Sequence, residues 1–373
     1  MQTQGAGEGG TAGAGATTEC VDADGDDVFA GCESYAERFG PDCDDDDDGV
    51  GSCAPTNVIL VVGDGMGFEH VRATRMFKSG EDWEEEPLSF ETFPARASMT
   101  TLDASGGITD SAASATAMAT GHKVPSGVIS IVDGEDQQTV LERYADLGKR
   151  TGLVTIQTPV VDATPAAFGA HATNRSDSAG IADDLLLRSR PNVLFGDTRG
   201  VPTQQSVESA GYLYATSLDV IDTSRTGPSH VFGAFANAEP PLLARARTAL
   251  AVLEQQPEGF FLLLENEGTD ESSHQGDLAG VIDATLELER TVDAVLAWIG
   301  SRTDTLVVVL ADHETGGLTV TETAPEVGVV PAHTFGATYH TSTPVPLFAR
   351  GPRAETVTEV MDNTDVYTLL GGL

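Results

Sequence analysis

Short hydrophobic runs recur along the chain from Asn57 onward, and most of their residues are β-branched, Leu or Phe. Each run is nearly continuous rather than alternating, which is typical of strands that are covered on both faces. We predict strands at Val58–Val62, Leu153–Ile156, Phe260–Leu264, Leu306–Leu310 and Val345–Ala349. Apolar residues recur with helical spacing between them, in Gln138–Leu147, Pro241–Gln255 and Leu278–Ile299. This alternation predicts an α/β fold, with a mostly parallel central sheet sandwiched between helices.

The N-terminal part of the chain has a different composition. Residues 1–18 are rich in Gly, Ala and Thr and are predicted to form a flexible linker. Residues 19–54 form a short acidic segment that contains all four cysteines, Cys20, Cys32, Cys43 and Cys53. An even number of closely spaced cysteines indicates disulfides in any of three pairings. We therefore expect an exported protein (periplasmic, cell-surface or extracellular). The remaining residues, 55–373, are expected to form one domain.

Within the acidic segment, Asp44, Asp46 and Asp48 alternate before Gly49, as carboxylates do in the first half of a calcium loop. A complete EF-hand is excluded, because Pro55 stands where that loop needs a bidentate Glu. Two interpretations remain, namely a short disulfide-braced calcium repeat and a solvated acidic tail.

The overall charge narrows the choice of partners. The chain of 373 residues carries 58 Asp and Glu against 20 Lys and Arg, for a formal net charge of −38. Such a surface repels nucleic acid and anionic lipid. The longest apolar runs have the length of strands, so we expect no membrane span.

The first predicted strand ends in the stretch Gly63-Asp64-Gly65-Met66-Gly67. Glycine-rich turns after buried strands often cradle a dinucleotide, but this stretch does not keep the G-x-G-x-x-G spacing. A carboxylate inside such a turn would also repel a pyrophosphate. Asp64 is therefore interpreted either as a helix cap or as a metal ligand.

Ligand-type side chains follow the other predicted strands as well. Asp270 and His274 are four residues apart and fall on one face of a helical turn, where they can bind one ion. The carboxyl ends of strands are where sites gather in open α/β sheets. The candidate ligands at these positions are Asp162, Thr164, Glu265, Asp270, His274, Asp312 and His313, with His340 shortly before the last predicted strand.

Ser111 begins a run of small residues, in the stretch Thr109 to Gly121 (TDSAASATAMATG). We predict that this run is a helix with Ser111 at its N-terminus, where backbone N–H groups favour an anion. The alternative interpretation is that Asp110 or Ser111 is simply the N-cap.

Together these motifs resemble the alkaline phosphatase family. The resemblance rests on GDGMG, TDSAASATAMATG, DATPAAFGAHATNR, E-x4-D-x3-H, ADH and HT, which follow one another between about residue 57 and residue 350. It implies an alkaline phosphatase-like fold and hydrolysis of phosphate monoesters to an alcohol and inorganic phosphate. The expected partners are small phosphomonoesters and, by analogy with the family, a second copy of the chain.

The resemblance also implies particular roles for these residues. Ser111 is the expected nucleophile, which forms a phosphoserine intermediate, and Arg175 is the expected phosphate clamp. Two zinc ions and one magnesium ion are expected. One zinc would take Asp270, His274 and His340; the other would take Asp64, Asp312 and His313; the magnesium would take Asp64, Asp162, Thr164 and Glu265.

Two other classes of function are weighed against this one, and the first is an enzyme with the same core fold. A phosphodiesterase of the same superfamily usually presents Thr as its nucleophile, and a sulfatase requires a C/S-x-P-x-R context that Ser111 lacks. The second is a weakly active acidic calcium-binding surface protein, against which the complete ligand set argues.

The chain departs from the family at three places. Asn266 stands where the family often has Gly, and Glu271 stands where Lys, His or Trp is common. A carboxylate at Glu271 is expected to weaken phosphate binding, unless it points to solvent. The segment Asn192–Gln256 is shorter than in large members, so we expect a more open site.

Overall fold

The computed structural model describes residues 21–30, 32, 39–43, 53–224, 227–236 and 238–371. In chain order, its helices are α1 Phe68–Ser79, α2 Ser111–Thr120, α3 Val140–Asp146, α4 Ala163–Gly169, α5 Ser178–Asp183, α6 Gln204–Ser209, α7 Leu242–Leu253, α8 Gly268–His274, α9 Leu278–Ile299 and α10 Asp365–Leu369. Its strands are β1 Asn57–Gly63, β2 Ala95–Thr100, β3 Ile131–Val132, β4 Glu135–Asp136, β5 Arg150–Pro159, β6 Val193–Asp197, β7 Leu213–Ala215, β8 Val231–Ala234, β9 Phe260–Asn266, β10 Thr305–Leu310, β11 Glu314–Thr315, β12 Leu318–Val320, β13 His333–Phe335, β14 His340–Thr341, β15 Val345–Arg350 and β16 Val360–Asp362.

A ten-stranded sheet forms the centre of the described structure, in the order β16-β2-β15-β10-β1-β9-β5-β6-β8-β7. All neighbouring strands in it run parallel except at β15, which is antiparallel to both β10 and β2. Helices flank the sheet: α3 and α4 pack on β5 and β9, and α7 and α9 pack on β5 and β1. The predicted α/β fold is therefore confirmed.

The five predicted strands lie inside β1, β5, β9, β10 and β15, which are five contiguous strands in the middle of the sheet. Val58–Val62, Phe260–Leu264 and Leu306–Leu310 are fully buried, as their continuous hydrophobicity predicts. The predicted helices correspond to α3, α7 and α9, and α9 has the predicted bounds. Asn192–Gln256 carries β6, α6, β7, β8 and α7.

The direction of the strands decides where the polar residues meet. Because β1, β5, β9 and β10 are parallel, their carboxyl ends lie at one edge of the sheet. β15 runs the opposite way, so its first residue lies at that same edge. His340, which precedes β15, is thereby brought to the carboxyl ends of the other strands.

The N-terminal segment is described in part. Cys43 and Cys53 form a disulfide, and Cys32 is disulfide-bonded as well. Asp44, Asp46 and Asp48 lie outside the described residues, so the calcium loop stays a prediction, as do the domain boundaries. Within the described ranges, the helices are all too short or too polar to cross a lipid bilayer.

Candidate metal centre and active site

The glycine-rich turn after β1 brings its backbone close to the side chains of Asp270, Asp312 and Thr315. Gly65 has a φ of +69°, and a Cβ there would lie 2.8 Å from Thr315 Oγ1 and 2.9 Å from Asp270 Oδ1. Its N–H donates to Asp312 Oδ1 at 3.1 Å. Only a glycine fits both this backbone conformation and this close approach. Asp64, just before it, is 1% exposed.

Asp312 and His313 are neighbours in sequence, yet both face Asp64. Alternating strand geometry would send them to opposite faces, but β10 ends at Leu310, before either residue. His313 Nε2 lies 3.4 Å from Asp64 Oδ1 and 3.2 Å from Asp312 Oδ2. The predicted second zinc set is thus assembled at one point.

The other two histidines approach Asp270. His274 Nδ1–H donates to the carbonyl of Thr338 at 2.8 Å, and His340 Nδ1–H donates to the carbonyl of Thr109 at 3.0 Å. This leaves each Nε2 free to face the carboxylate of Asp270, at 3.1 Å for His274 and 3.6 Å for His340. An Nδ1–H that is held by a carbonyl is the usual arrangement behind a metal-bound Nε2.

His313 follows the same arrangement. Its Nδ1 lies 3.2 Å from Thr315 Oγ1, whose hydroxyl donates to Asp270 Oδ1, so the proton belongs on Nδ1. Burial, together with His340, holds the pKa of His313 well below its ordinary value. A neutral Nε2 lone pair that faces carboxylate oxygens is repulsive unless a cation lies between them.

Several buried oxygen atoms at the same edge have no hydrogen-bond partner among the described residues. They are Asp64 Oδ1, Thr164 Oγ1, both oxygens of Glu265 and Asp312 Oδ2. Glu265 is 1% exposed and lies in β9 between Val62 of β1 and Thr155 of β5. Buried carboxylates that lack partners are costly, and carboxylate oxygen is what divalent cations bind. The donor set therefore fits a metal centre.

The electrostatics lead to the same conclusion. Burial raises the pKa of Asp64 well above its ordinary value, and the neighbouring Asp312 raises it further. Burial likewise raises the pKa of Asp312, and it raises the pKa of Glu265 to about 8. The charged neighbours that shift the pKa of Asp64 among the described residues are all acidic, namely Asp312, Glu267, Asp270 and Glu265.

The ligand atoms fall into groups whose members all lie within 4.8 Å of one another. These groups, among the described residues of the centre, are Asp64, Asp312 and His313; Asp270, His313 and His340; and Asp64, Glu265 and Glu267. His274 is in none of these groups of described residues, but its Nε2 lies 3.1 Å from Asp270 Oδ2. Glu267 is the residue that sequence reasoning missed, because by its local sequence it is equally compatible with a solvated surface acid. It is half-buried, and burial and the charge of Glu265 raise its pKa well above the ordinary value.

Asp162 lies beside the centre, but its oxygens are engaged elsewhere. Oδ1 accepts from the Ala163 N–H at 2.8 Å and pairs with Arg175 at 3.0 Å, and Oδ2 accepts from Thr158 Oγ1 at 3.2 Å. Burial would raise the pKa of Asp162, but Arg175 and these hydrogen bonds hold it below its ordinary value. Its assignment as a magnesium ligand stays a prediction.

Ser111 is the first residue of α2, as predicted, and Asp110 is the N-cap, whose side chain accepts from the Ala113 N–H at 3.0 Å. Ser111 is 7% exposed, and its Oγ lies 3.2 Å from His313 Nε2. The hydroxyl therefore lies against the ligands of the predicted second zinc, at the positive end of a helix.

Arg175 is oriented by two carboxylates, Asp110 and Asp162, each at 3.0 Å from one guanidinium nitrogen. Burial would lower the pKa of Arg175, but the two carboxylates raise it above the ordinary value. The N-cap of the nucleophile helix thus also orients the predicted phosphate clamp. A cavity of about 360 Å³ is lined by Arg175, Asp162 and Arg199.

The departures from the family at Asn266 and Glu271 have different structural consequences. Asn266 Nδ2 donates to the carbonyl of Ala284 at 3.0 Å, and its Oδ1 accepts from the Gly268 N–H at 2.9 Å, so it braces the turn after β9. Glu271 is exposed and belongs to none of the ligand groups that the described residues form. The structure favours the interpretation of Glu271 as a solvent-facing residue.

His70 is a structural histidine that was not proposed as a ligand. The Gly67 N–H donates to its Nδ1 at 3.1 Å, and its Nε2 lies 3.0 Å from Ser273 Oγ, which donates to the carbonyl of Thr269. Burial lowers the pKa of His70 to about 4. The neutral ring ties the turn after β1 to α8.

Comparison with known proteins decides the family. The sequence model of the family described as Alkaline phosphatase matches residues 55–194 and 235–334. The chain belongs to the alkaline phosphatase family. The matched residues include every predicted site residue of this chain except His340.

The curated relatives agree with this assignment. Alkaline phosphatase 3 of Bacillus subtilis is 32% identical over 289 residues, which cover 71% of this chain and 62% of that protein. The chain thus spans somewhat less than two thirds of that relative. Streptomycin-6-phosphate phosphatase of Streptomyces griseus is 30% identical over 417 residues, covering 85% of this chain and 90% of that protein.

The fold agrees as well. The crystal structure of a cold-active alkaline phosphatase from the psychrophile Shewanella sp. is similar, with a TM-score of 0.76 and 26% identity. The superposition covers 84% of this chain and 98% of that one. The sequence family and the fold therefore agree.

Proposed function

We propose that this chain hydrolyses phosphate monoesters through a phosphoserine formed on Ser111. The observation that carries the proposal is the position of Ser111 Oγ, 3.2 Å from His313 Nε2 at the N-terminus of α2. A nucleophile, unpartnered carboxylate oxygens and an arginine clamp meet there at one edge of the sheet. The relative named for streptomycin 6-phosphate, a monoester, supports this substrate class.

The reaction has two displacements at phosphorus. Ser111 Oγ attacks the phosphorus atom, a P–O bond to Ser111 forms, and the P–O bond to the alcohol breaks. Water then attacks the phosphoserine and releases inorganic phosphate, which regenerates the hydroxyl of Ser111. Throughout, Arg175 offers two parallel N–H groups to two phosphate oxygens, and Asp110 and Asp162 hold that fork in place.

The ligand chemistry fits two zinc ions and one magnesium ion. Mixed nitrogen and carboxylate ligands suit zinc, in the sets Asp270, His274, His340 and Asp64, Asp312, His313. Oxygen ligands alone suit magnesium, at Asp64, Glu265 and Thr164, with Asp162 beside them. When bound, such ions stabilise charge on the attacking and leaving oxygens.

The test is turnover of p-nitrophenyl phosphate together with the metal content of the purified protein. We expect monoester hydrolysis, about two zinc ions per chain, and loss of activity after chelation that zinc with magnesium restores. Bis-p-nitrophenyl phosphate is the comparison substrate. Faster hydrolysis of the diester would assign a phosphodiesterase, and a protein that is inactive on both with no zinc would overturn the proposal.

We also infer that the protein works outside the cytoplasm. The Cys43–Cys53 disulfide is the supporting observation, since such bonds persist in oxidising compartments. Non-reducing mass spectrometry of the protein from its native source would show this bond intact.

A further inference from the structure

Glu267 occupies a place in the centre that the resemblance does not assign. Its carboxylate lies in one ligand group with Asp64 and Glu265, with all three ligand atoms within 4.8 Å of one another. The residues on both sides, Asn266 and Gly268, are buried, so this segment of the chain is inside the protein rather than on its surface. The group is a cluster of three carboxylates.

Acidic clusters are common without a metal, so a second observation is needed. Asp64 and Glu265 are each 1% exposed. Asp64 Oδ1 and both oxygens of Glu265 are buried and have no hydrogen-bond partner among the described residues. Three buried carboxylate oxygens without a donor at hydrogen-bond distance form a place that a cation can occupy, and binding a cation there removes the cost of burying the charge.

The turn after β9 holds Glu267 in place. Asn266 fixes it from one side, through the carbonyl of Ala284 and the N–H of Gly268. On the other side, a Cβ at Gly268 would lie 3.0 Å from the Cβ of Ala284, so the backbone is packed closely against α9. Such bracing positions a ligand before the ion arrives.

Asp162 does not supply a free carboxylate at this point. Both of its oxygens already accept hydrogen bonds, from Ala163, Arg175 and Thr158. Asp162 therefore has fewer free lone pairs to offer an ion near Glu265 than Asp64 and Glu265 have.

We propose that Glu267 is an additional carboxylate ligand of the magnesium ion held by Asp64 and Glu265, and that it tightens binding of Mg²⁺. The inference rests on the metal centre of the proposed function. Three carboxylates give the site a higher negative charge than two, and affinity for hard cations increases with the number of charged oxygen ligands.

Glu271 provides a matched control four residues away. It carries the same charge in the same short helix region, but it is exposed and in none of the ligand groups of the described residues. A general effect of charge on Mg²⁺ binding would appear in both variants. Direct ligation would appear only at Glu267.

The experiment compares full-length parent, Glu267→Gln and Glu271→Gln. Each protein is stripped with a chelator, reloaded with two equivalents of Zn²⁺ and titrated with Mg²⁺ by calorimetry. We expect Glu267→Gln to raise the Kd for Mg²⁺ by about 10- to 100-fold, which is the usual range for substitutions around a metal site. The Kd of Glu271→Gln should stay within about twofold of the parent, because an exposed charge is screened.

The second readout is the Tm, which, like the calorimetric Kd, does not depend on activity. In the metal-free protein, Glu267→Gln removes a like charge from the cluster, so its Tm should rise. The gain in Tm on adding Mg²⁺ should be smaller than in the parent. If Glu267→Gln does not fold, Glu267→Asp replaces it, since the shortened carboxylate should also weaken the Kd.

Unchanged Mg²⁺ affinity in the Glu267 variants would overturn the inference, as would equal weakening by Glu271→Gln. Either result leaves the proposed function intact if the parent still turns over p-nitrophenyl phosphate. Conversely, a parent protein that binds Mg²⁺ through Glu267 but does not hydrolyse the ester would overturn the proposed function. The assignment of Glu267 as a Mg²⁺ ligand would still hold.

Discussion

Two regions of this protein gather carboxylates, and they do so in different surroundings. At the edge of the central sheet, Asp64, Glu265 and Glu267 bring ligand atoms within 4.8 Å of one another. In the N-terminal segment, Asp22, Asp24 and Asp26 do the same. By ligand type and spacing alone the two groups look alike.

The hydrogen-bond partners of the carboxylates distinguish the two groups. Each N-terminal aspartate accepts a backbone N–H close in sequence: Gly25 donates to Asp22 at 2.7 Å, and Val28 donates to Asp26 at 2.8 Å. Asp24 accepts from the N–H of Asp26 at 3.2 Å; its Oδ2 is buried and lacks a partner within the described residues, as Asp64 Oδ1 does, but the Asp24 residue as a whole is half-exposed. These are local turn contacts that water can share.

In the sheet group, by contrast, burial removes water and the fold supplies no donors to Asp64 Oδ1 or Glu265 among the described residues. The number of acidic residues therefore does not make a metal site in this acidic chain. What marks the cluster at the sheet edge is burial without hydrogen bonds, because there a bound cation compensates the charge, and without one the carboxylates take up protons.

The largest effect should come from Ser111, the proposed nucleophile, which lies at the same edge of the sheet as Asp64 and Glu265. Ser111→Ala should reduce phosphatase turnover by at least about three orders of magnitude, because no other group forms the covalent intermediate. Zinc content should stay near that of the parent, since the proposed ligands remain. Steady-state kinetics and elemental analysis measure both quantities. A variant that retained more than about a tenth of the activity would show that Ser111 is not the nucleophile.

A stability effect should appear at His70, which ties the turn of Asp64 to α8. The pKa of this buried ring is lowered from 6.5 to about 4. As pH falls below 6.5, the unfolded chain takes up a proton that the folded protein does not, so the free energy of unfolding decreases until about pH 4. The difference between these pKa values corresponds to about 3 kcal/mol.

The measurement is urea unfolding of chelated parent and His70→Gln at several pH values. Other groups titrate in both proteins, so the difference between the two profiles isolates His70. The variant should show a flatter dependence between about pH 6.5 and pH 4. Parallel profiles would mean that His70 is protonated in the folded state.

How much of this was predictable depends on what each residue contacts. The central strands β15, β10, β1, β9 and β5 were predicted because both faces of these strands are covered, which leaves continuous apolar runs. Toward the edges, β7 has three residues and β16 has three, and no such run marks them. Short edge strands depend on neighbours that a local pattern does not contain.

The site shows the same division. Asp64, Asp312 and His313 follow strands directly, so their convergence could be expected from a parallel sheet. Glu267 and Glu271 are both acidic residues in one short stretch, and nothing local distinguishes them. The difference arises from the turn braced by Asn266 and from the register of β9 between β1 and β5.

A smaller effect is expected from removing the other acidic region. Deleting residues 1–54 should leave zinc content unchanged and turnover within about twofold, because every proposed ligand lies after the deletion. Differences should be confined to calcium binding, anchoring or the response to salt. Metal analysis and kinetics of the truncated protein provide the check. An inactive core depleted of zinc would show that the segment belongs to the catalytic unit.

The smallest effect should come from Glu271→Lys, which reverses a charge near the centre without touching it. On sequence grounds a carboxylate here weakens phosphate binding, so the variant should lower KM and strengthen inhibition by inorganic phosphate. The structure places Glu271 in solvent, where its field is screened within about 10 Å at 0.1 M salt. We therefore expect KM to fall by less than about twofold at low ionic strength, and the difference to vanish at about 1 M salt. Steady-state kinetics at two fixed ionic strengths tests this, with Glu271→Gln as the half-step in charge. A decrease in KM that persists in high salt would mean that Glu271 acts at the phosphate itself, and the contrast between the buried and exposed carboxylates of this stretch would fail.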